Sequence, residues 1–391
     1  MLDLKLKPRE ERRLRAGHLW VYSNEIDAGP EFRKLPAGSL CRVFDSRGQP
    51  LGLGYVNPHS LLAVRILSGN IEASIDQDWF QRRLQAALYW REKLYGEPHY
   101  RLVYGEADGL PGLVIDRYGE VLVVQLTTAG MEALKAPLLA ALQALLSPRA
   151  IVLRNDNAAR EQEGLSLEPE VIGSLPDVVE VQEEGLRYPL DLLRGQKTGF
   201  FFDQRDNRSR LARYASGARV LDVFSYVGAW ALRALRDGAA SATCLDSSQT
   251  ALDAAQAAAQ RNGLSLETIR DEALDGLKAL REAGRQFDIV IVDPPALIKR
   301  RKDYEAGLEH YAALNRAALQ LLPAEGLLVA CSCSHHLPAE DLQRILLRES
   351  RRAKRRLRLL EQGAQGADHP VHPAIPETRY LKAFYCAVSQ T

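Results

Sequence analysis

Phe287-Asp-Ile-Val-Ile-Val-Asp293-Pro-Pro295 decides the fold. Its apolar core, Ile289 to Val292, is β-branched throughout and too short for a helix, so it reads as a strand buried on both faces. Asp293-Pro294-Pro295 stops it, because proline cannot donate to a sheet and disfavours helix in the residue before it. In an open parallel sheet, ligands gather beyond the carboxyl ends of strands, and there the chain sets a carboxylate on a rigid platform. A plain strand-ending turn is the competing reading.

The surrounding text decides between them. From Gly195 strands and helices alternate: strand 219–224, helix 229–236, strand 242–246, helix 250–262, strand 266–270, helix 273–283 and strand 287–292. Helix 303–322, strand 326–331, helix 339–350, strand 357–361 and strand 380–388 complete the series. Such alternation implies an α/β domain on a mainly parallel, doubly wound, Rossmann-like sheet.

Upstream the pattern differs. Residues 1–72 carry short alternating runs (Ser39 to Phe44, Leu51 to Tyr55, Leu61 to Leu67) broken by turn pairs, which suits a small β-rich binding module. Its stretch Lys7 to Tyr22 mixes basic residues with Trp20 and Tyr22, a combination fitted to phosphate and base contacts; Trp20 and Tyr22 as core residues of a strand is the equal alternative. Residues 73–185 read as an α+β domain, with a helix from Asp78 to Leu94 capped by Asp76 or Asp78 and a hairpin of strands ending in Val121 to Leu126. A helix from Met131 to Leu146 and a strand from Ala150 to Arg154 follow, then a hairpin turning at Glu184-Gly185. The third domain is set at 186–391.

Length and composition agree with this division. At 391 residues and 46% apolar content, two or three domains with sizeable cores are expected. Even the run Val121 to Leu126 is strand-sized, so no membrane span is expected, and the charged stretch from Lys5 to Arg15 lacks a signal-peptide core. A cytoplasmic protein follows, and five cysteines suit reduced thiols better than a disulfide framework. The net charge of +1 excludes no partner, since a nucleic-acid binder needs only a basic face. Basic runs lie at Arg9 to Arg15, Arg205 to Arg213, Lys299 to Lys302 and Arg351 to Arg358.

The chemistry collects at strand ends. The first βα turn, Asp222-Val-Phe-Ser-Tyr-Val-Gly228, has one glycine, too few for a pyrophosphate cradle. The second strand ends in Asp246, placed to accept from ribose hydroxyls, and the third in Arg270-Asp271-Glu272, placed to meet an adenine amine. Three acids at successive strand ends point to a cationic nucleoside such as S-adenosylmethionine (SAM), although an acid at a helix start is often only a cap.

Beside Asp293, the strand Leu327-Leu-Val-Ala-Cys331-Ser-Cys333 puts Cys331 and Cys333 on one face, with Cys333 past the last apolar residue. A thiolate there could attack C6 of a pyrimidine and make C5 nucleophilic enough to take a methyl group, while Asp293 holds the base edge. Three other readings stand beside this one. The two cysteines suit small buried core residues. With His335 and His336 they would make a strained metal site. The histidines alone suit a helix cap. Cys41, Cys244 and Cys386 read as structural.

Gln196-Lys-Thr-Gly-Phe-Phe-Phe-Asp-Gln-Arg205, Asp222 to Gly228, Val292-Asp-Pro-Pro295 and Cys331-Ser-Cys-Ser334 together resemble the bacterial ribosomal RNA large-subunit methyltransferase I family, SAM-dependent enzymes that make 5-methylcytosine in 23S rRNA. The resemblance spans essentially the whole chain. It implies an N-terminal PUA domain, a central α+β domain and a C-terminal class I methyltransferase domain. It implies Cys333 as nucleophile and Asp293 with Pro294, Pro295 and Lys299 at the target base. It further implies SAM contacts around Phe224, Gly228, Asp246 and Asp271, with Gln204 and Arg205 nearby and Asp222 at the turn. The implied partner is 23S rRNA or a large-subunit precursor, with no metal, no membrane, and a homodimer as the candidate assembly. One departure is that Asp293-Pro294-Pro295-Ala296 lacks the second cysteine many RNA cytosine-5 methyltransferases carry, which leaves product release to another group, Cys331 among the candidates. Rival readings are an amino-directed RNA methyltransferase using Asp293-Pro-Pro, and a SAM- and RNA-binding assembly factor without turnover.

Overall fold

Every apolar position of the deciding strand is buried, Ile289 and Ile291 on one side of a sheet and Val290 and Val292 on the other. The structure is a computed structural model that describes residues 1–193 and 199–390. Gly195 and Gln196-Lys-Thr198 of the quoted motif lie outside the described residues. The chain divides into two units, one of Met1–Val179, Asp191–Phe200 and Asp368–Thr378, the other of Glu180–Leu190, Phe201–Ala367 and Arg379–Thr391.

The first unit begins with strand β1 (Leu2–Lys5), helix α1 (Arg12–Arg15), and strands β2 (Trp20–Tyr22), β3 (Ser39–Phe44), β4 (Pro50–Val56) and β5 (Leu62–Ser68), a sheet in the order β1-β3-β4-β5-β2. The runs expected at 39–44, 51–55 and 61–67 are three of these strands. β1 lies outside the expected runs, yet Leu4 and Leu6 alternate inward from it. In the basic stretch that follows, Arg13 pairs with Glu25 and Arg15 with Asp45, while Trp20 donates its indole N–H to Glu106. Both of these arginines thus already carry an acidic partner.

Helix α2 (Gln77–Leu94) starts at Asp76, whose carboxylate accepts from the Trp79 N–H at 2.9 Å. Strands β6 (His99–Tyr104), β7 (Leu113–Tyr118) and β8 (Val121–Leu126), helices α3 (Ala129–Ala133) and α4 (Lys135–Leu146), strand β9 (Ala150–Leu153), helix α5 (Ala158–Gln162) and strand β10 (Glu170–Gly173) complete the elements, with sheet order β10-β9-β8-β7-β6. The single helix expected over 131–146 is two, because Pro137 is tolerated only in a first turn and α4 therefore begins afresh at Lys135. Leu53, Tyr55 and Leu67 of the N-terminal strands share one core with Trp79, Phe80 and Leu102, so the β-rich module and the α+β region form one body. A late segment also belongs to it. Asp368 accepts from the Arg101 N–H at 2.9 Å and meets His369 at 2.8 Å, and its carbonyl accepts from Arg91.

The second unit opens with hairpin strands β11 (Val179–Glu183) and β12 (Leu186–Leu190), turning through left-handed Glu184 and Gly185 as expected. Helix α6 (Arg205–Ala215) leads into β13 (Arg219–Val223), α7 (Ala229–Arg236), β14 (Ser241–Asp246), α8 (Gln249–Arg261), β15 (Glu267–Arg270), α9 (Ala273–Glu282) and β16 (Ile289–Val292). Then come α10 (Tyr304–Leu319), β17 (Gly326–Ser332), α11 (Ala339–Arg352), β18 (Arg355–Gly363) and β19 (Lys382–Gln390). The sheet order is β15-β14-β13-β16-β17-β19-β18, parallel from β15 to β17, with β19 antiparallel between β17 and β18. Strand order reverses between β13 and β16, and an open sheet presents its ligand crevice at such a point.

Candidate active site

The turn after β13 is shaped by left-handed residues. Phe224 has φ 63°, Tyr226 φ 50° and Gly228 φ 70°. For phenylalanine and tyrosine that conformation costs about 1–2 kcal/mol each, and such strain concentrates at binding sites. It persists because neighbours hold it: the Phe224 N–H donates to the Leu245 carbonyl at 2.9 Å and the Tyr226 N–H to the Asp246 carboxylate at 2.9 Å. The other oxygen of Asp246 accepts from the Ser248 N–H, so Asp246 ties two turns together. Gly228 is required for space as well as φ, since a Cβ there would lie 3.0 Å from Ala255 Cβ. Asp271 accepts from its neighbour Glu272 N–H, and its own N–H donates to the Asp246 carbonyl. Asp246 and Asp271 are thus linked through the backbone of adjacent turns.

Asp222 lies deeper than the sequence suggested, fully buried within β13. One oxygen accepts from the Ala231 N–H at 3.2 Å, and the other has no partner among the described residues. Burial, with the charges of Asp293 and Asp246, pushes its carboxyl up to about 8. An orphaned buried acid under a strained turn, flanked by Asp246 and Asp271, suits a ligand that brings positive charge and hydroxyl donors. SAM, a cationic nucleoside, is a ligand of that kind.

Gln204 and Arg205 part company. Gln204 donates to Asp293 at 2.9 Å and accepts from Asn207. Arg205 is buried against Glu183, which also takes a two-point contact from Arg208 at 2.6 Å. The ion pairs outweigh burial and hold the Glu183 carboxyl below its usual range.

Asp293 stands half-buried at the end of β16, accepting from Gln204 on one oxygen and from the Trp230 indole at 3.1 Å on the other. Burial raises its carboxyl to about 6 despite those two donors. Pro294 is buried, whereas Pro295 and Lys299 are exposed. On the neighbouring β17, where Val292 pairs with Ala330, Cys331 is buried and Cys333 half-buried just past the last paired residue. The Cys333 Sγ lies 3.9 Å from the Pro294 carbonyl, so thiol and Asp-Pro-Pro loop share one location. Burial pushes the Cys331 thiol well up. Ser332 and Ser334 both meet the Tyr311 hydroxyl, at 2.8 and 2.9 Å, and so pin the loop on either side of Cys333. His335 stacks on Tyr380, and among the described residues there is no group of three His, Cys, Asp or Glu side chains able to hold a metal. Cys41, Cys244 and Cys386 are buried.

Sequence reasoning missed Lys382. It pairs in register with Ser332 across the antiparallel β17–β19 ladder, and its ammonium donates to the carbonyls of Ser334 at 2.6 Å and Tyr380 at 2.7 Å.

A profile described as S-adenosylmethionine-dependent methyltransferase matches residues 123–385, and one described as PUA-like domain matches residues 4–69. A protein of Serratia proteamaculans named ribosomal RNA large subunit methyltransferase I is 39% identical over 98% of both chains. One from Klebsiella pneumoniae with the same name is 38% identical over 98% of this chain and 97% of its own. The chain belongs to the ribosomal RNA large subunit methyltransferase I family. Its fold is shared with a Streptococcus mutans protein assigned as a SAM-dependent methyltransferase (TM-score 0.83, 20% identity, 99% and 100% covered). It is shared too with SMU.776, assigned as a methyltransferase and solved with SAH (TM-score 0.85, 21% identity, 99% and 100% covered). Membership in the large subunit methyltransferase I family makes SAM the cofactor, in agreement with the Asp222–Gly228 turn. Among the described residues no helix is long and apolar enough to cross a membrane.

Proposed function

We propose that the protein transfers a methyl group from SAM to C5 of a cytosine in 23S rRNA or its large-subunit precursor, through a Cys333 thiolate adduct at C6. The rRNA substrate is supported by the names of relatives aligned along nearly the full chain. The observation that carries the chemistry is the 3.9 Å approach of Cys333 to Pro294, which brings a nucleophile to the Asp293 platform at adjacent strand ends.

SAM supplies the methyl group as an electrophilic sulfonium carbon. Asp293, steadied by Gln204 and Trp230, accepts from the exocyclic amine of cytosine; uracil offers a carbonyl there and would be repelled. The Cys333 thiolate bonds to C6, and the electron pair displaced to C5 takes the methyl group. The C5 proton then leaves to water, the C5–C6 double bond re-forms, and the thiolate is expelled. Cys331 is a poor base for that last step, because a buried thiol keeps its proton. The base must leave its stack to reach Cys333, costing roughly a few kcal/mol if it is paired. Pro294, Pro295 and Lys299 border the entering base.

RNA carrying 5-fluorocytidine tests the reading, since fluorine cannot leave C5 as a cation and the adduct is trapped. With SAM, the wild type should give a denaturant-resistant RNA–protein band and Cys333→Ser none. Methylation of RNA that survives Cys333→Ser without any trapped band would put an amino-directed transfer by Asp293-Pro-Pro in its place.

A further inference from the structure

Lys382 presents an anomaly that the folding of a sheet does not require. It is only 9% exposed, is the first residue of β19 beside the end of β17, and is held by two carbonyls alone. Among the described residues it forms no ion pair with a carboxylate, unlike the buried Arg205 and Arg208 of the same unit, which converge on Glu183. A buried ammonium without a counter-charge is expensive, and proteins keep one where an anion forms nearby. The carbonyl it grips belongs to Ser334, the residue after Cys333, and its strand partner is Ser332, the residue before it. The lysine therefore straddles the cysteine loop.

We infer that Lys382 is the counter-ion of Cys333, holding that side chain as a thiolate before RNA arrives and receiving it again when the product leaves. The inference rests on the reading of Cys333 as the nucleophile. The groups around the pair are consistent with it. From α10 comes the Tyr311 hydroxyl, bonded to Ser332 and Ser334; from β17 comes Cys331, buried and protonated; and from the end of β16 comes Asp293, engaged by Gln204 and Trp230. His335 is stacked on Tyr380. Among the described residues named here, Lys382 is the one fixed cation. Its proton affinity is reduced by burial and restored in part by the Cys333 charge, the direction a neighbouring thiolate gives an ammonium. No proton crosses between them in the cycle: the thiol proton is lost to solvent when the pair forms, and Lys382 stays an ammonium while the thiolate bonds to C6 and returns. Lys382 is a positioning residue, acting on the base only through the sulfur.

The test needs no RNA, which separates it from the test of the reaction. The rate at which iodoacetamide modifies Cys333 is followed against pH by mass spectrometry of its peptide; the other four cysteines are buried. The wild type should react with an inflection below the ordinary thiol range of about 8.5. Lys382→Met, nearly the same shape but uncharged, should move the inflection up by about one pH unit and slow modification at pH 7 about tenfold, while Lys382→Arg should recover most of the rate. SAM affinity, measured in parallel, reports whether each variant is folded. Identical profiles for wild type and Lys382→Met overturn the inference. If Lys382→Met does not fold, the wild type alone decides, because an ordinary inflection near 8.5 would itself overturn it. Methylation that survives Cys333→Ser would instead overturn the nucleophile assignment and leave the alkylation result standing.

Discussion

Replacing Asp222 by asparagine should make the protein more stable and nearly unable to hold SAM. The carboxyl lies at about 8 in the fold against 3.8 unfolded, so between those values the folded state keeps a proton that the unfolded chain gives up. Such an acid costs stability as pH rises through that window, with the full penalty present above 8. Roughly four pH units at about 1.4 kcal/mol each set an upper figure near 6 kcal/mol. The Asp222→Asn side chain would keep the acceptor for the Ala231 N–H but leave a buried amide donor unmet, at about 1–3 kcal/mol. A net gain of up to about 3–5 kcal/mol at pH 8.5 remains, or roughly 5–10 °C in melting temperature, shrinking to nearly nothing at pH 5, which is only about one unit above the unfolded value, so that the unmet amide offsets what is left of the penalty. Thermal melts of both proteins at the two pH values, with and without SAM, check this. SAM at about a hundred times its Kd should raise wild-type stability by about 2.7 kcal/mol and Asp222→Asn by far less. The reasoning fails if the variant is no more stable at pH 8.5, or if SAM protects both proteins equally.

Gly228→Ala should weaken SAM binding at least tenfold by calorimetry and lower stability by about 1–2 kcal/mol, from the left-handed backbone and the 3.0 Å approach to Ala255 together; unchanged affinity would mean that the turn does not touch the cofactor. Glu183→Gln leaves Arg205 and Arg208 buried without a counter-charge and should cost about 3–5 kcal/mol in denaturant unfolding, with SAM affinity intact in the remaining folded protein. Because the Glu183 carboxyl is held low, the stability it confers is present above the ordinary carboxylate range and is lost as pH falls through the lowered value, so the wild-type advantage over Glu183→Gln should narrow in acid.

Much of the catalytic half was legible because its signals are local. A β-branched run ended by Asp-Pro-Pro can scarcely be anything but an interior strand, and acids at successive strand ends follow from the alternation alone. What escaped depended on pairing across distance or on backbone that residue type does not announce. Phe224 and Tyr226 carry no sign of a left-handed conformation, which the Leu245 carbonyl and Asp246 carboxylate impose from the next strand. The resemblance sets Arg205 near the cofactor, but nothing in the linear sequence announced its partner Glu183, on a hairpin some twenty residues earlier. Lys382 was invisible for the same reason, since only the antiparallel register of β19 sets it beside Ser332. A cation–carbonyl contact fifty residues apart has no linear signature.

The interleaving of the two units also bears on how the protein is made. The chain passes from one unit to the other after residues 179, 190, 200, 367 and 378, so the unit that begins at Met1 is not complete until Thr378 has been added. At about 5–20 residues per second, its first 179 residues wait roughly 10–40 s outside the ribosome for their last segment. During that interval Arg91 and Arg101 lack the Asp368 backbone and carboxylate that later receive them. A product stalled or truncated before residue 378 therefore exposes an unfinished half to chaperones and proteases, because the first unit can close on itself only once that segment has been made.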